Sequence, residues 1–192
     1  MSQIDIINVY YDHYKETNSI QKKYLIKRDH LTFCLIVTIS LLSFFLIDPD
    51  RGYEIVSQLI DNQLKVQSVS FEIINTLSIA LFLFLSLRYY QVCLTIERNY
   101  TYLHNVENIL SEMTELNIDR ESGNYLSFYP WLFNVIHFFF TYLFPLIIIG
   151  ISVLKIYMIF QSELRVVSFV NVVFLVTIVV ITIVYIIDRF RI

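Results

Sequence analysis

Residues 73–115 read IINTLSIALFLFLSL (73–87) and then RYYQVCLTIERNYTYLHNVENILSEMTE (88–115). The first part is apolar and long enough to cross most of a bilayer. The second part is polar. Neither contains Gly or Pro, the residues that most readily stop a helix. One helix is therefore expected to leave the membrane and continue into water. At about 1.5 Å per residue it measures about 65 Å, roughly twice a hydrocarbon core of about 30 Å. Its polar half must serve something outside lipid, and the function is expected there.

The rest of the chain supports a membrane reading. Of 192 residues, 56% are hydrophobic and 16% charged, against about 25% charged in a soluble domain. The excess lies in long runs. Leu31 to Ile47 is a first span, residues 71–92 a second, about Trp131 to Leu154 a third and Val166 to Ile187 a fourth. The expected fold is an all-α membrane protein with four transmembrane helices, the first two extending into the cytosol as a helical hairpin. Residues 1–30 come before the first apolar run and are mixed and polar, so that run is not a secretory signal peptide. Cys34 and Cys93 read as two buried thiols rather than a disulfide framework.

Ile7, Tyr10, Tyr14, Thr17, Gln21, Tyr24 and Arg28 recur at spacings of three and four, a loose amphipathic helix that can run straight into the first span. Ile96, Tyr100, Leu103, Val106, Leu110 and Met113 form a second, coiled-coil-like stripe. The two stripes are natural antiparallel partners. Asp48-Pro49-Asp50-Arg51-Gly52 is a stop and turn. Residues 53–70 read as a short surface helix or an ordered external loop, and residues 116–128 as a connecting loop. Tyr129-Pro130-Trp131 marks an interface, and Pro145 predicts a kink in the third span. Gln161-Ser162-Glu163 reads as a tight turn.

Lys and Arg set the orientation. Residues 1–30 hold five, residues 88–130 three and the tail two; Arg51, Lys65, Lys155 and Arg165 lie on the other side. The majority side is cytoplasmic, which puts both termini and the central polar helix inside.

Three places could carry chemistry. The Tyr/Lys mixture of residues 10–28 can stack bases and hold phosphates of single-stranded nucleic acid or a nucleotide. Its ordinary reading is juxtamembrane charge that meets anionic lipid. Lys15 and Tyr14 lie too deep in the cytosol for lipid to explain them. In the second place, Arg98 to His104, an Arg followed by a His resembles the RNase motif of HEPN domains. Six residues on one regular helix put the two side chains about 240° apart, so a polar helix face is the simpler reading. The third is the spans, where Ser40, Ser43, Asn75, Ser78 and Ser86, with Asn134 and His137, either bond neighbouring helices or line water.

The absences exclude classes. The net charge of −3 gives no general attraction to nucleic acid. No Gly-rich phosphate loop, Ser/His/Asp arrangement or metal-ligand spacing occurs. Asp12-His13 and Asp29-His30 are isolated pairs. No cofactor is expected. No acidic pair or Arg row lies in the spans, which disfavours a proton pump or voltage sensor, and transporter-like half-helix repeats are missing.

The entry ending in Lys27-Arg28-Asp29-His30, then Arg88-Tyr89-Tyr90-Gln91, Glu97-Arg98-Asn99-Tyr100 and Tyr125-Leu126-Ser127-Phe128-Tyr129-Pro130 complete the pattern. Together they resemble the small multi-span membrane effectors of bacterial anti-phage defence, such as the HalB-type effectors of Hailong and the four-span accessory proteins of RNA-targeting CRISPR loci. The resemblance implies a homo-oligomeric pore in the bacterial inner membrane that a partner's signal opens or holds shut. A cytosolic sensor protein is one such partner. The protruding stripes are too small to be stable as an isolated pair, which also points to an oligomer, with four copies as the working number. Repeated about an axis, Tyr14, Lys15, Lys22, Tyr24, Arg98 and Tyr102 would line a chamber for a polyanion. The alternatives are a membrane-anchored HEPN-like RNase accessory and a non-catalytic scaffold for a cytosolic partner.

Overall fold

The computed structural model describes residues 3–64, 70–115, 131, 135, 138–161 and 166–191. Helix α1 runs Gln3–Ile47, α2 Pro49–Leu64 and α3 Phe71–Thr114. A π-helical turn, Phe139–Leu143, leads into α4, Phe144–Gln161, and α5 runs Val166–Arg191. The described residues are almost entirely helical, without strands. Four helices are long and apolar enough to cross a membrane: Asp5–Ile47, Phe71–Thr114, Phe139–Gln161 and Ser168–Arg189. The expected all-α class with four spans is thus the observed one. The loop at 116–128, the turn beyond Gln161, and Asn134 and His137 lie outside the described residues.

Local chemistry sets the helix ends. Asp48 stands between α1 and α2, and its carboxylate accepts from the Arg51 backbone N–H at 3.1 Å. Pro49 opens α2, where a missing N–H costs nothing. The expected stop is therefore also a start, and residues 53–64 are helix. Gly52 is buried beside Phe45: a Cβ there would stand 2.6 Å from the Phe45 ring, so the close approach requires glycine. Helix α3 is unbroken for 44 residues and ends at Glu115, whose φ of 53° is the left-handed C-terminal stop.

Pro145 sits one residue past the first of α4. It cannot donate to the carbonyl four residues back, that of Thr141 in the π-turn, and its ring crowds that carbonyl. A wider turn relieves both faults. The expected kink thus takes the form of a π-turn just before the proline.

The chain divides into two units. One comprises residues 1–30 and 91–138, the other residues 31–90 and 139–192; α1 and α3 give a part to each. In the first, Tyr14, Leu103, Val106 and Leu110 form a core, with Ile7 and Tyr10 packed on it. Tyr14 meets Glu107 and Gln21 meets Ile96, so the segments run antiparallel.

In the second unit the buried positions again recur at three and four. They are Thr32, Leu35, Thr38, Leu42 and Phe45 on α1, and Thr141, Pro145, Ile148, Ser152 and Lys155 on the π-turn and α4. On α5 they are Asn171, Leu175, Ile178, Thr182 and Tyr185. These are the seam positions of a helical bundle. Helices α4 and α5 pack on each other across a short connection, which makes them antiparallel.

Candidate functional site

Helix α3 supplies facing residues along the bundle. At one end the Lys155 ammonium donates to Asn75 Oδ1 at 3.3 Å and lies over the Phe45 ring, 5.7 Å from its centroid. At the other end the Tyr90 and Thr182 hydroxyls are 2.9 Å apart. Tyr90 stacks on Tyr185 with centroids 4.5 Å apart, and Arg189 donates to the Tyr185 hydroxyl. Tyr89 packs edge-on against Phe144 and its hydroxyl donates to the Phe140 carbonyl in the π-turn at 3.3 Å. Between these polar ends the seams carry the apolar residues Phe82, Ile148 and Ile178, each essentially inaccessible.

The span residues expected to face water take different places. Ser40 is exposed and its hydroxyl bonds back to the Ile36 carbonyl. Ser43 is half-buried. Ser78 is buried and bonds back to Ile74. Ser86 is buried with no hydrogen-bond partner for its hydroxyl. Asn75 is half-buried and engaged by Lys155. They do not form one row: Ser78 and Ser86 face the seam, and Ser40 faces outward.

In the helix pair Tyr14 is a core residue, and its hydroxyl donates to the buried Glu107 carboxylate at 2.8 Å. Lys15 and Lys22 are exposed, Lys15 over the Tyr11 ring. Tyr24 is half-buried beneath Lys27. Arg98 and Tyr102 are exposed on α3. His104 is exposed too, and the regular helix keeps it off the face of Arg98. The outer surface of the pair thus offers cations and tyrosine rings, while its interior is closed by Tyr14, Gln21 and Glu107.

Sequence reading passes over Lys155, Asn171 and Glu107 as site residues. The signal for Lys155 and Asn171 is present in the seam spacing, which carries each of them at one end. Among the described residues no group of His, Cys, Asp and Glu could hold a metal ion.

These features define a multi-pass, all-helical membrane protein with a helix pair built on the continuations of two of its spans. No family model matches the chain, and no curated protein or solved structure matches it.

Proposed function

We propose that the protein is a homo-oligomeric ion channel or pore of the bacterial inner membrane, a defence effector that acts by abortive infection. Both termini and the helix pair lie in the cytoplasm, where a single-stranded nucleic acid or a nucleotide biases the pore. The observation that carries this reading is the continuity of α1 and α3. Each is one unbroken helix with a part in the pair and a part in the apolar bundle, so whatever binds the pair binds helices that also form two of the spans. Exposed Lys15, Lys22 and Arg98 supply the charge for a polyanion, and exposed Tyr102 a stacking surface. The ligand can shift the pore only by the difference in its affinity for the open and closed states. The buried apolar seam residues of one bundle favour a conduction path between copies.

The test is conductance of purified protein in a planar bilayer, with and without a single-stranded oligonucleotide at low salt. The expected result is a conductance that the oligonucleotide changes, with strong salt dependence from released counterions. Lys15→Glu or Arg98→Glu should remove the response and leave basal conductance, insertion and assembly intact. Absence of conductance overturns the reading. RNA cleavage that His104→Ala abolishes would replace it with the RNase reading. Neither activity would leave a scaffold for a cytosolic partner.

A further inference from the structure

Helix α1 carries two stripes. One is the buried seam of Gln21, Thr32, Leu35 and Leu42. The other lies on the opposite side, at positions 12, 16, 19, 23, 26, 30, 33 and 37, again in steps of three and four, and every member of it is exposed. Its chemistry changes in order along the helix. Asp12 and Glu16 come first, and Ser19 follows. Then come Lys23, Ile26 and His30, with exposed Lys27 one turn on from Lys23. Phe33 and Val37 complete it. Carboxylates, then ammonium groups, then apolar side chains is the order met on passing from water through lipid headgroups to acyl chains. The whole pair is graded in the same way. The bonds from Tyr14 to Glu107 and from Gln21 to Ile96 set residues 3–19 beside residues 101–115, and residues 20–30 beside residues 91–100. The second part, which continues into the bundle, has five Lys and Arg against two Asp and Glu; the first has one against six.

Ile26 decides what the cations meet. It is 59% exposed in the turn of helix that carries Lys23 and Lys27, before the apolar run begins at Leu31. A soluble polyanion would neutralise the lysines and leave this side chain in water. Measured along α1, Lys27 lies about 6 Å and Lys23 about 12 Å before Leu31. The headgroup layer is about 5–8 Å deep, and a lysine's four-carbon stem spans the remainder while it covers apolar surface. The Lys27 ammonium rests over the Tyr24 ring, on the same side of the run. Glu16 lies about 22 Å before Leu31, more than a Debye length of about 10 Å from the headgroups, so its charge does not oppose the contact. From this we infer that Lys23 and Lys27, with Ile26 in the same turn, form a binding site for an anionic phospholipid. Its phosphate meets the two ammonium groups, and its acyl chain continues along the stripe. The inference rests on the membrane reading and not on conduction, and it uses none of Lys15, Lys22 and Arg98.

The experiment is native mass spectrometry of the full chain in a neutral detergent, titrated with phosphatidylglycerol, phosphatidylcholine or glycerol phosphate. The native protein should hold phosphatidylglycerol more tightly than phosphatidylcholine and should not retain glycerol phosphate. Each lysine near a lipid surface is worth about fivefold in affinity for anionic lipid. Lys23→Gln combined with Lys27→Gln should therefore weaken phosphatidylglycerol binding about 30-fold and leave phosphatidylcholine unchanged. Lys15→Gln should alter neither, and Ile26→Ser should weaken both lipids. These side chains are exposed, so the variants fold. A native protein without preference for phosphatidylglycerol overturns the inference, as does a double variant that binds it as the native protein does. Glycerol phosphate held as tightly as the lipid would make this a free-phosphate site and also overturns it. Loss of single-stranded oligonucleotide binding in the double variant, with phosphatidylglycerol binding unaffected, overturns it in favour of nucleic acid.

Discussion

The helix pair and the bundle are made from the same two helices with the same spacing, and both bury apolar side chains, yet they turn opposite kinds of residue outward. Along α1 the pair buries Tyr14 and Gln21 and exposes Lys15 and Lys22; the bundle buries Thr32 and Thr38 and exposes Phe33 and Val37. Along α3 the pair exposes Arg98 and His104, while the bundle exposes Leu77, Leu81 and Phe84. The seam position is set by the helical period alone. The outward face is set by the medium, because lipid accepts apolar surface and leaves polar groups to find partners inside. The same rule puts hydroxyl pairs such as Tyr90–Thr182 in the bundle interior and leaves charges on the surface of the pair.

The comparison breaks most visibly if a core level and an outer face are exchanged. Phe82→Ala in the seam should cost about 3–5 kcal/mol, read as loss of folded protein in a detergent-denaturation series. Phe84→Asp should cost about 2.5–3.5 kcal/mol of insertion, whereas Asn105→Asp on the exposed side of the pair should leave insertion unchanged; equal effects would remove the distinction between the media. Gly52→Ala forces a Cβ against the Phe45 ring and should cost about 1–3 kcal/mol, since that ring is itself 2% exposed and has nowhere to swing. Tyr14→Phe removes the hydroxyl donated to the buried Glu107 carboxylate and should cost about 1–3 kcal/mol. Adding Glu107→Leu should recover most of the loss; a double variant as unstable as the sum of the singles would show that the two do not act as a pair.

What is legible in the sequence is the period. Every member of the Ile7 to Arg28 stripe is buried or half-buried, because a stripe needs only its own spacing. On α3 the stripe drifts: Tyr100 is 40% exposed while Glu107 is 1% exposed. A glutamate reads as outward unless its partner is known, and Tyr14 lies 93 positions away. Lys155 escapes for the same reason. An apolar run is taken to end at its first charge, which stops the third span at Leu154, yet α4 continues to Gln161. The acceptor that holds the ammonium, Asn75, is 80 positions away. The π-turn is legible as a kink at Pro145, but its displacement to residues 139–143 depends on which carbonyl the proline deprives. The polar residues of the spans are legible one by one. Their distribution between seam and outer face is not, since it follows from which helices meet.

The claim that both polar extensions leave the membrane on the cytoplasmic side is tested most directly by accessibility in whole cells. With Cys34 and Cys93 replaced, single cysteines at Asn62 and Asp119 are exposed to a membrane-impermeant maleimide from outside. The account predicts labelling at position 62 and none at 119 until the cells are opened. Labelling at 119 with none at 62 would contradict it: the helix pair would then lie outside the cell, where no cytosolic signal could reach Lys15 or Arg98.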